Sequence, residues 1–372
     1  MAQTPATLMR GGSSKCWIFD ARDLPEDRDR LEAMLMEVFG AADPHQLDGI
    51  GGGTSVTSKA VFVRPSLNVD ADLEYLFAQV GVGECLVDWG RDCGDCATAV
   101  ALWAVEALGL FTGAPTTTVR MRNINTGTEL AAEVDTTAHP LPVTVPGVLG
   151  SGTGIHLTFR NPGGKSTGSL WPALAHRNRL SVDGVTMTVS MIDAAAPVVI
   201  IDAHSLGISA VASESQVAQH VPMLRKVRTH AAVQMNLACS AEDPIHPVPE
   251  VGIVGPPRDY TTTLGEDIRA DDYDISVRMI SESLPHPSVG LTSAVAIALA
   301  STVPDSALGE IYMRESRRAP SLRTERSIRS VPLRLGTLGG VLHCEVKIQG
   351  DETEVHLHRA ARRLAEAQLC LR

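Results

Sequence analysis

Two short segments of small apolar residues limit most strongly what this chain can fold into. Residues 97–102 read ATAVAL and residues 292–297 read TSAVAI, at a constant offset of 195 residues. A helix that is apolar all round is buried, and small side chains allow close backbone approach, so we expect each helix to run inside a curled sheet. The repeat predicts an α+β protein of two similar halves, residues 1–180 and 181–372, with an active site between them. Chance resemblance between two alanine-rich helices is the alternative.

Composition narrows the class of protein. The chain has 372 residues, with 43 Asp and Glu against 32 Lys and Arg, which gives a formal net charge of −11. This acidic balance, without an arm dense in Lys and Arg, argues against nucleic-acid binding. No apolar run reaches the roughly 18–20 residues of a membrane span, and the N-terminus lacks a basic segment followed by an apolar one. We therefore expect a cytoplasmic protein with neither a nucleic-acid nor a membrane partner.

The seven cysteines are an odd number scattered over a long chain. Disulfide scaffolds are short and dense in cysteine, so free thiols in a reducing compartment are the better interpretation. Cys93 and Cys96 form one C-x-x-C pair without a second pair or a nearby pair of histidines at zinc-ligand spacing, and His356 and His358 fit a surface pair on a strand. We therefore expect no metal site.

Two glycine-rich segments match phosphate-binding loops only in part. Residues 163–166 read GGKS, but position 159 is Phe where a Walker A loop needs glycine. Residues 49–54 read GIGGGT, which lacks the last glycine of the dinucleotide pattern, and no βαβ unit surrounds them. Neither segment predicts nucleotide binding.

Periodicity and turn residues predict the secondary structure. Helices are expected at 25–39, 96–108, 222–238, 292–300 and from about residue 360. Strands are expected at 60–64, within 116–158, and at 185–191, 197–201, 251–254, 275–280, 340–348 and 354–357. Residues 316–330 carry five arginines and read as an exposed loop.

Cys93 lies at the turn that opens the first small-residue helix. Backbone N–H groups at a helix N-terminus stabilise a thiolate and also hold an anionic group of a substrate. This position makes Cys93 a candidate catalytic residue, and Gly94 and Asp95 candidate substrate contacts. A buried structural cysteine is the alternative for Cys93, whereas Cys96, one turn into the helix, fits plain packing.

Lys59 follows a run of small hydroxyl residues and precedes an apolar strand. A partly desolvated lysine at such a place becomes a usable general base near neutral pH. Thr57 and Ser58, at the end of the hydroxyl run, are then candidate substrate contacts. A strand-end lysine whose charged group reaches solvent is the alternative.

A second loop, residues 10–15, reads RGGSSK. Ser13, Ser14 and Lys15 combine backbone N–H groups, hydroxyls and a positive charge, which suits recognition of a carboxylate. An ordinary tight turn explains the two glycines equally well.

These motifs together resemble the PrpF-type methylaconitate isomerase family, which also includes methylitaconate Δ-isomerases, aconitate isomerases and 4-oxalomesaconate tautomerases. The resemblance rests on three ordered motifs, which are MRGGSSK at 9–15, DGIGGGTSVTSK at 48–59 and DWGRDCGD at 88–95. It continues at 189–197, 251–257, 277–281, 286–294 and 359–363, and it therefore covers nearly the whole chain.

The resemblance implies a fold like that of diaminopimelate epimerase, in which each of two similar halves curls a sheet around a central helix. It also implies a cofactor-free isomerase that shifts a proton and a double bond along an unsaturated di- or tricarboxylate, or interconverts its cis and trans forms. Catalytic roles then fall on Lys59 and Cys93, with the small-molecule polycarboxylate as the partner. A homodimer is the expected assembly. Candidate substrate contacts in the second half are Arg278, His286 and Thr292.

Two departures from the family pattern bear on the chemistry. The offset of 195 residues places Ser288 opposite Cys93, so a symmetric racemisation by two thiols is not expected. The family's usual Cys-Gly-Asn reads Cys-Gly-Asp here, and the extra carboxylate of Asp95 leaves the identity of the substrate open.

Two other functions remain as alternatives. The first is an amino-acid racemase or epimerase on the same fold, which would need His286 to act as the second base in place of Ser288. The second is a non-catalytic accessory protein, in which Lys59 and Cys93 are structural.

Overall fold

The structure is a computed structural model of the chain, and it describes residues 2–25, 27–90, 92–241, 248–281, 284–315 and 328–371. The chain forms two compact units. Unit 1 contains Met1–Leu157 and His358–Arg372, and unit 2 contains Thr158–Leu357. The sequence predicted a single boundary near residue 180. The structure instead divides the chain at two places, because a segment late in the sequence returns to complete unit 1.

The described residues form the following elements. The strands are β1 (Ala2–Gly11), β2 (Ser14–Asp20), β3 (Lys59–Pro65), β4 (Leu73–Val80), β5 (Val87–Asp88), β6 (Thr116–Asn123), β7 (Glu129–Asp135), β8 (Pro142–Thr144), β9 (Ser151–Arg160), β10 (Asn178–Val182), β11 (Val185–Ala194), β12 (Ala196–Asp202), β13 (Glu250–Gly255), β14 (Tyr260–Thr261), β15 (Asp267–Ile268), β16 (Ile275–Ser281), β17 (Leu284–Pro285), β18 (Ile328–Thr337), β19 (Gly340–Gln349) and β20 (Glu352–Leu371). The helices are α1 (Arg28–Phe39), α2 (Gly94–Ala107), α3 (Ala203–Leu206), α4 (Glu214–Gln234), α5 (Leu291–Ser301) and α6 (Ala307–Glu315).

Unit 1 is built around a closed barrel of eight strands. Around the barrel, β1 is followed by β2, β3, β4, β6, β7, β9 and β20, and β20 pairs antiparallel with β1 to close the ring. The pairs β2–β3 and β4–β6 are parallel, so each needs a crossover connection. α1 lies in the first crossover and shares one hydrophobic cluster with Trp17, Phe19 and Phe62 of the barrel strands.

α2 lies in the second crossover and runs inside the barrel. Every residue from Gly94 to Ala104 is buried, and α2 contacts β1, β2, β3, β6 and β7. A Cβ atom built on Gly11 would lie 1.9 Å from the carbonyl oxygen of Asp95, so β1 approaches the helix at a distance that only glycine allows. The expected helix of small residues inside a curled sheet is confirmed for unit 1.

Unit 2 also has a fully buried helix of small residues, α5, in which every residue from Leu291 to Ser301 is buried. α5 contacts β11, β12 and β19. The longer helix α4 packs Val217, Leu224 and Val227 into the hydrophobic cluster that it shares with β11 and β12. Both small-residue helices therefore have the buried position that their composition predicted.

Three secondary-structure predictions differ from the structure. The helix expected from about residue 360 is wrong, because these residues continue β20 as a strand paired with β1. α4 starts at Glu214 rather than at Pro222, because Ser213 and Gln216 form a capping box at its N-terminus and leave the proline inside the helix. α6 was not predicted. The arginine-rich segment 316–330 lies outside the described residues up to position 327, and positions 328–330 belong to β18.

Candidate active site

Lys59 is the first residue of β3, and it is buried directly opposite Gln79 in β4. Its Nζ atom donates a hydrogen bond of 2.6 Å to Oε1 of Gln79 and lies 5.1 Å from the ring centre of Phe77. The amide of Gln79 is oriented in turn, because Nε2 donates to the carbonyl oxygens of Ser55 and Ser58 at 3.1 and 3.0 Å. The amine is therefore held in one position inside unit 1, away from bulk water.

Cys93 is the N-cap of α2, with extended backbone angles (φ −134°, ψ 101°) and no capping hydrogen bond from its side chain. The residue is half-buried. A hydrogen bond with the Cys96 thiol, together with burial, raises the pKa of the Cys93 thiol well above its ordinary value, and the nearby charge of Lys59 opposes this shift. The Cys93 side chain is therefore a protonated thiol at neutral pH, within electrostatic reach of the Lys59 amine.

The backbone of Cys93 is anchored by the buried carboxyl group of Asp92. Its Oδ1 atom accepts hydrogen bonds from the Cys93 N–H at 2.6 Å, from Asn123 Nδ2 at 2.9 Å and from the Tyr75 hydroxyl at 3.0 Å. Burial raises the pKa of Asp92 to about 6, although these three donors act in the opposite direction. Asp92 thus fixes where α2 begins, and so fixes the position of the thiol.

Residues 10–15, which join β1 to β2 and are called the serine loop below, contact Asp95 of α2. Oδ2 of Asp95 accepts hydrogen bonds from the backbone N–H and the hydroxyl of Ser13, at 3.1 and 2.8 Å, and a long one of 3.5 Å from the Ser14 hydroxyl. Gly12 has φ +51°, and a Cβ atom there would lie 1.9 Å from Asp95 Oδ1. A hydroxyl has one proton to donate, and both serine protons are directed at Asp95. The expected carboxylate-binding loop is therefore filled by a carboxylate of the chain itself.

The other predicted contacts in unit 1 have mainly local partners. Ser58 is fully buried and donates to Oε1 of Gln46 at 2.5 Å, while the Thr57 hydroxyl bonds within its own turn, 2.7 Å from that of Thr54. Lys15 is half-buried and its backbone N–H donates to the Val56 carbonyl at 2.8 Å. Gly94 is the first, buried residue of α2. Whether these residues contact a substrate stays a prediction.

Three predicted contacts belong to unit 2. Arg278 is buried and donates to the backbone carbonyls of Ala212 and Gly336 at 2.8 and 3.0 Å, which gives it a structural role in holding two segments. Nδ1 of His286 accepts the Ser288 backbone N–H at 3.0 Å. Thr292 is buried in the first turn of α5. Their contact with a substrate also stays a prediction.

Sequence reasoning missed three polar residues of this region. Gln79, Asp92 and Arg359 are all buried, and the first two orient Lys59 and Cys93. A polar side chain inside an apolar strand, such as Gln79 in LEYLFAQV, was the signal that could have identified one of them. Arg359 was hidden because the sequence pattern near it favours a helix rather than a strand.

In the described part of the chain, no group of three or more His, Cys, Asp or Glu side chains is arranged to hold a metal ion. The same residues contain no helix that is both long enough and apolar enough to span a membrane.

Comparison with known proteins agrees with this geometry. Residues 1–371 match the profile of the family described as PrpF protein. The chain is 32% identical over 323 residues to the 2-methyl-aconitate isomerase of Shewanella oneidensis, which covers 80% of this chain and 81% of that protein. The crystal structure of methylitaconate-delta-isomerase superposes with a TM-score of 0.77 at 25% identity, over 98% of this chain and 95% of that one. A hydroxyproline epimerase from Agrobacterium vitis shares the fold alone, with a TM-score of 0.55 at 10% identity over 99% and 92% of the two chains.

Fold and relatives together define an isomerase with a diaminopimelate-epimerase-like architecture, as the sequence predicted. Epimerases and double-bond isomerases share this architecture, so the fold by itself leaves the reaction open. The chain belongs to the PrpF family.

Proposed function

We propose that this protein moves a proton along an unsaturated di- or tricarboxylate of the aconitate, methylaconitate or oxalomesaconate type, and so shifts or isomerises its double bond without a cofactor. The observation that carries the proposal is the pairing in unit 1 of a buried amine, Lys59, with a protonated thiol, Cys93. These two groups supply a proton acceptor and a proton donor, which is all that a 1,3-proton shift requires.

The proton balance assigns a role to each group. Acting as the base, Lys59 takes an allylic proton that a neighbouring carboxylate or carbonyl makes acidic, and the electron pair of the C–H bond delocalises into a dienolate. The Cys93 thiol then donates its proton to the far carbon, so the double bond moves by one position. Proton transfer from the Lys59 ammonium to the Cys93 thiolate restores the starting state. The raised pKa of the Cys93 thiol supports its role as the donor.

The start of α2 provides charge stabilisation for the dienolate. The first N–H groups of a helix have no partner within the helix, and the helix dipole makes this end favourable for negative charge. Cys93 caps α2 without a side-chain hydrogen bond, and Gly94 follows without a side chain that could block approach. Oriented N–H groups that act where charge develops usually make the largest single contribution to such a barrier.

The test uses trans-aconitate and a panel of related unsaturated tri- and dicarboxylates, followed by ultraviolet absorbance and by proton exchange in D₂O. Lys59→Met and Cys93→Ser should each reduce turnover by about 10²-fold or more, the usual contribution of an acid or base. Cys85→Ser, at an exposed cysteine, is the matched control and should retain activity. Proton exchange near the wild-type rate in either active-site variant would refute the assignment of the two groups.

A further inference from the structure

Arg359 of β20 has a fully buried guanidinium group without a hydrogen bond. Among the described residues, none accepts a hydrogen bond from its Nε, Nη1 or Nη2 atom. The nearest carboxylate oxygen, Oδ1 of Asp95, lies 3.7 Å from Nε and itself has no hydrogen-bond donor. An enclosed charge with five unused N–H groups is costly, and an anion that accepted hydrogen bonds from them would remove part of that cost.

The two carboxylate oxygens of Asp95 have different surroundings. Its Oδ2 atom is held by Ser13 and Ser14, whereas Oδ1 faces Arg359 beyond hydrogen-bond distance. The serine loop is engaged by Asp95, through two hydrogen bonds from Ser13 and a long contact of 3.5 Å from the Ser14 hydroxyl. Besides the first N–H groups of α2, a carboxylate that enters this end of the barrel has the unused donors of Arg359.

We propose that Arg359 binds a carboxylate of the substrate, and that Asp95 is an internal competitor for that site in the free enzyme. The planar guanidinium presents paired N–H groups that match the two oxygens of a carboxylate. Asp95 is in the first turn of the helix that Cys93 caps, and its charge acts on the Cys93 thiol, so a carboxylate held beside Asp95 lies within electrostatic reach of that thiol. The inference rests on the proposed function, since it assigns the substrate anchor of that same site.

The experiment measures the dissociation constant of trans-aconitate by calorimetry, in wild type and in three variants. Arg359→Met should weaken binding by about 100-fold, which is the range of a lost charged hydrogen-bonding group. Arg359→Lys keeps the charge without the planar fork and should weaken binding by roughly tenfold. Asp95→Asn keeps the size and the acceptor oxygen for the serine loop but removes the competing charge, so it should tighten binding by several fold.

The opposite signs of these changes separate a substrate anchor from a structural ion pair. If Arg359 only pairs with Asp95, Arg359→Lys and Asp95→Asn will lower the melting temperature without changing the affinity, and the inference is overturned. Should Arg359→Met fail to fold, the lysine and asparagine variants still decide between the two outcomes.

Failure of the inference is distinguishable from failure of the proposed function. A wild-type protein that binds and turns over the panel, with an unchanged affinity in the Arg359 variants, contradicts only the anchor. A wild-type protein that binds trans-aconitate through Arg359 but exchanges no proton contradicts only the reaction. Absence of binding to the whole panel contradicts both.

Discussion

The starts of α2 and α5 occupy matching places in the two units, but they carry different chemistry. α2 begins after Cys93, with Asp92 beneath the thiol and Asp95 in the first turn. α5 begins after Gly290 and has neither a thiol nor a carboxylate in its first turn. Each unit therefore has a buried helix, while a cysteine thiol caps only the start of α2.

The polar side chains near α5 are used for local structure. The Ser288 hydroxyl lies 3.2 Å from that of Thr337, and the Ser288 backbone N–H donates a hydrogen bond to His286.

α5 starts two residues later than the sequence offset predicts, so Gly290 rather than Ser288 has the N-cap position of Cys93. Neither residue is a cysteine, so the expectation of a single catalytic thiol does not depend on which alignment is used. This asymmetry suits a reaction with two chemically different groups.

The strongest challenge to this comparison is to move the thiol from one helix start to the other. The double variant Cys93→Ser with Ser288→Cys should lose about 10²-fold or more in turnover, as Cys93→Ser does alone, because the offset of 195 residues places Val254, which has no basic group, opposite Lys59. Turnover of trans-aconitate measures the effect. Ser288→Cys alone is the control and should stay close to wild type, whereas recovery of activity in the double variant would show that the two units are functionally equivalent.

How closely the chain packs at each helix start is tested by replacing one glycine there with alanine: Gly12, which packs on the first turn of α2, and Gly290, the N-cap of α5. Gly12→Ala should destabilise the protein by about 3 kcal/mol, because φ at Gly12 is +51° and the new Cβ would lie 1.9 Å from Asp95 Oδ1. Gly290→Ala should cost less than about 1 kcal/mol, since its Cβ would meet nothing closer than 3.7 Å. Urea unfolding checks both values, and equal losses would contradict the close packing of the serine loop on α2.

The thiol of Cys93 offers a third comparison. Cys96→Ala removes the hydrogen bond that contributes most to the raised pKa of Cys93, so the pKa should fall and alkylation of Cys93 by iodoacetamide at pH 7.5 should accelerate by roughly tenfold. Mass spectrometry of the Cys93 peptide gives the rate. Cys344→Ala, at a buried cysteine of unit 2, should leave that rate unchanged.

The smallest expected effect concerns the carboxyl beneath α2. The pKa of Asp92 is about 6 in the folded protein, above its value of 3.8 in the unfolded chain. Between pH 6 and pH 3.8 the folded protein therefore carries a proton on Asp92 that the unfolded chain has mostly released. The free energy of unfolding of the wild-type protein, measured relative to that of the Asp92→Asn variant, should therefore increase by about 1 kcal/mol as the pH falls from 7 to 5. Urea unfolding of both proteins at the two pH values tests this, and a difference that shrinks as the pH falls would have the wrong sign.

Much of this architecture was predictable because the decisive signals are local. The small residues of α2 and α5 require burial whatever surrounds them, and the predicted bounds of these two helices differ from the observed ones by two residues or fewer at each end. Lys59 and Cys93 were identified for the same reason, since each stands at the junction of a loop and a buried element. Whether they are the catalytic pair remains a prediction.

The errors arose where distant contacts outweigh local preference. Residues 360–369 read AARRLAEAQL, and such residues favour a helix. Pairing with β1 makes them a strand instead, and it directs Arg359 into unit 1 beside Asp95. The same long-range pairing explains why His358–Arg372 belongs to unit 1 rather than to the unit that precedes it in sequence. The orientation of Gln79 also could not be predicted, because its partners Ser55 and Ser58 lie across the sheet.

The pairing of β20 with β1 has a consequence for biosynthesis. Unit 2 is one continuous stretch, Thr158–Leu357, and it is synthesised before the strand segment that closes the unit 1 barrel. During that time β1 lacks one of its two neighbours, and an unpaired strand edge is prone to pair with other chains. The polypeptide segment that supplies Arg359 therefore completes both the barrel and the proposed anchor, so the nascent chain acquires its binding site only after unit 2 has been synthesised.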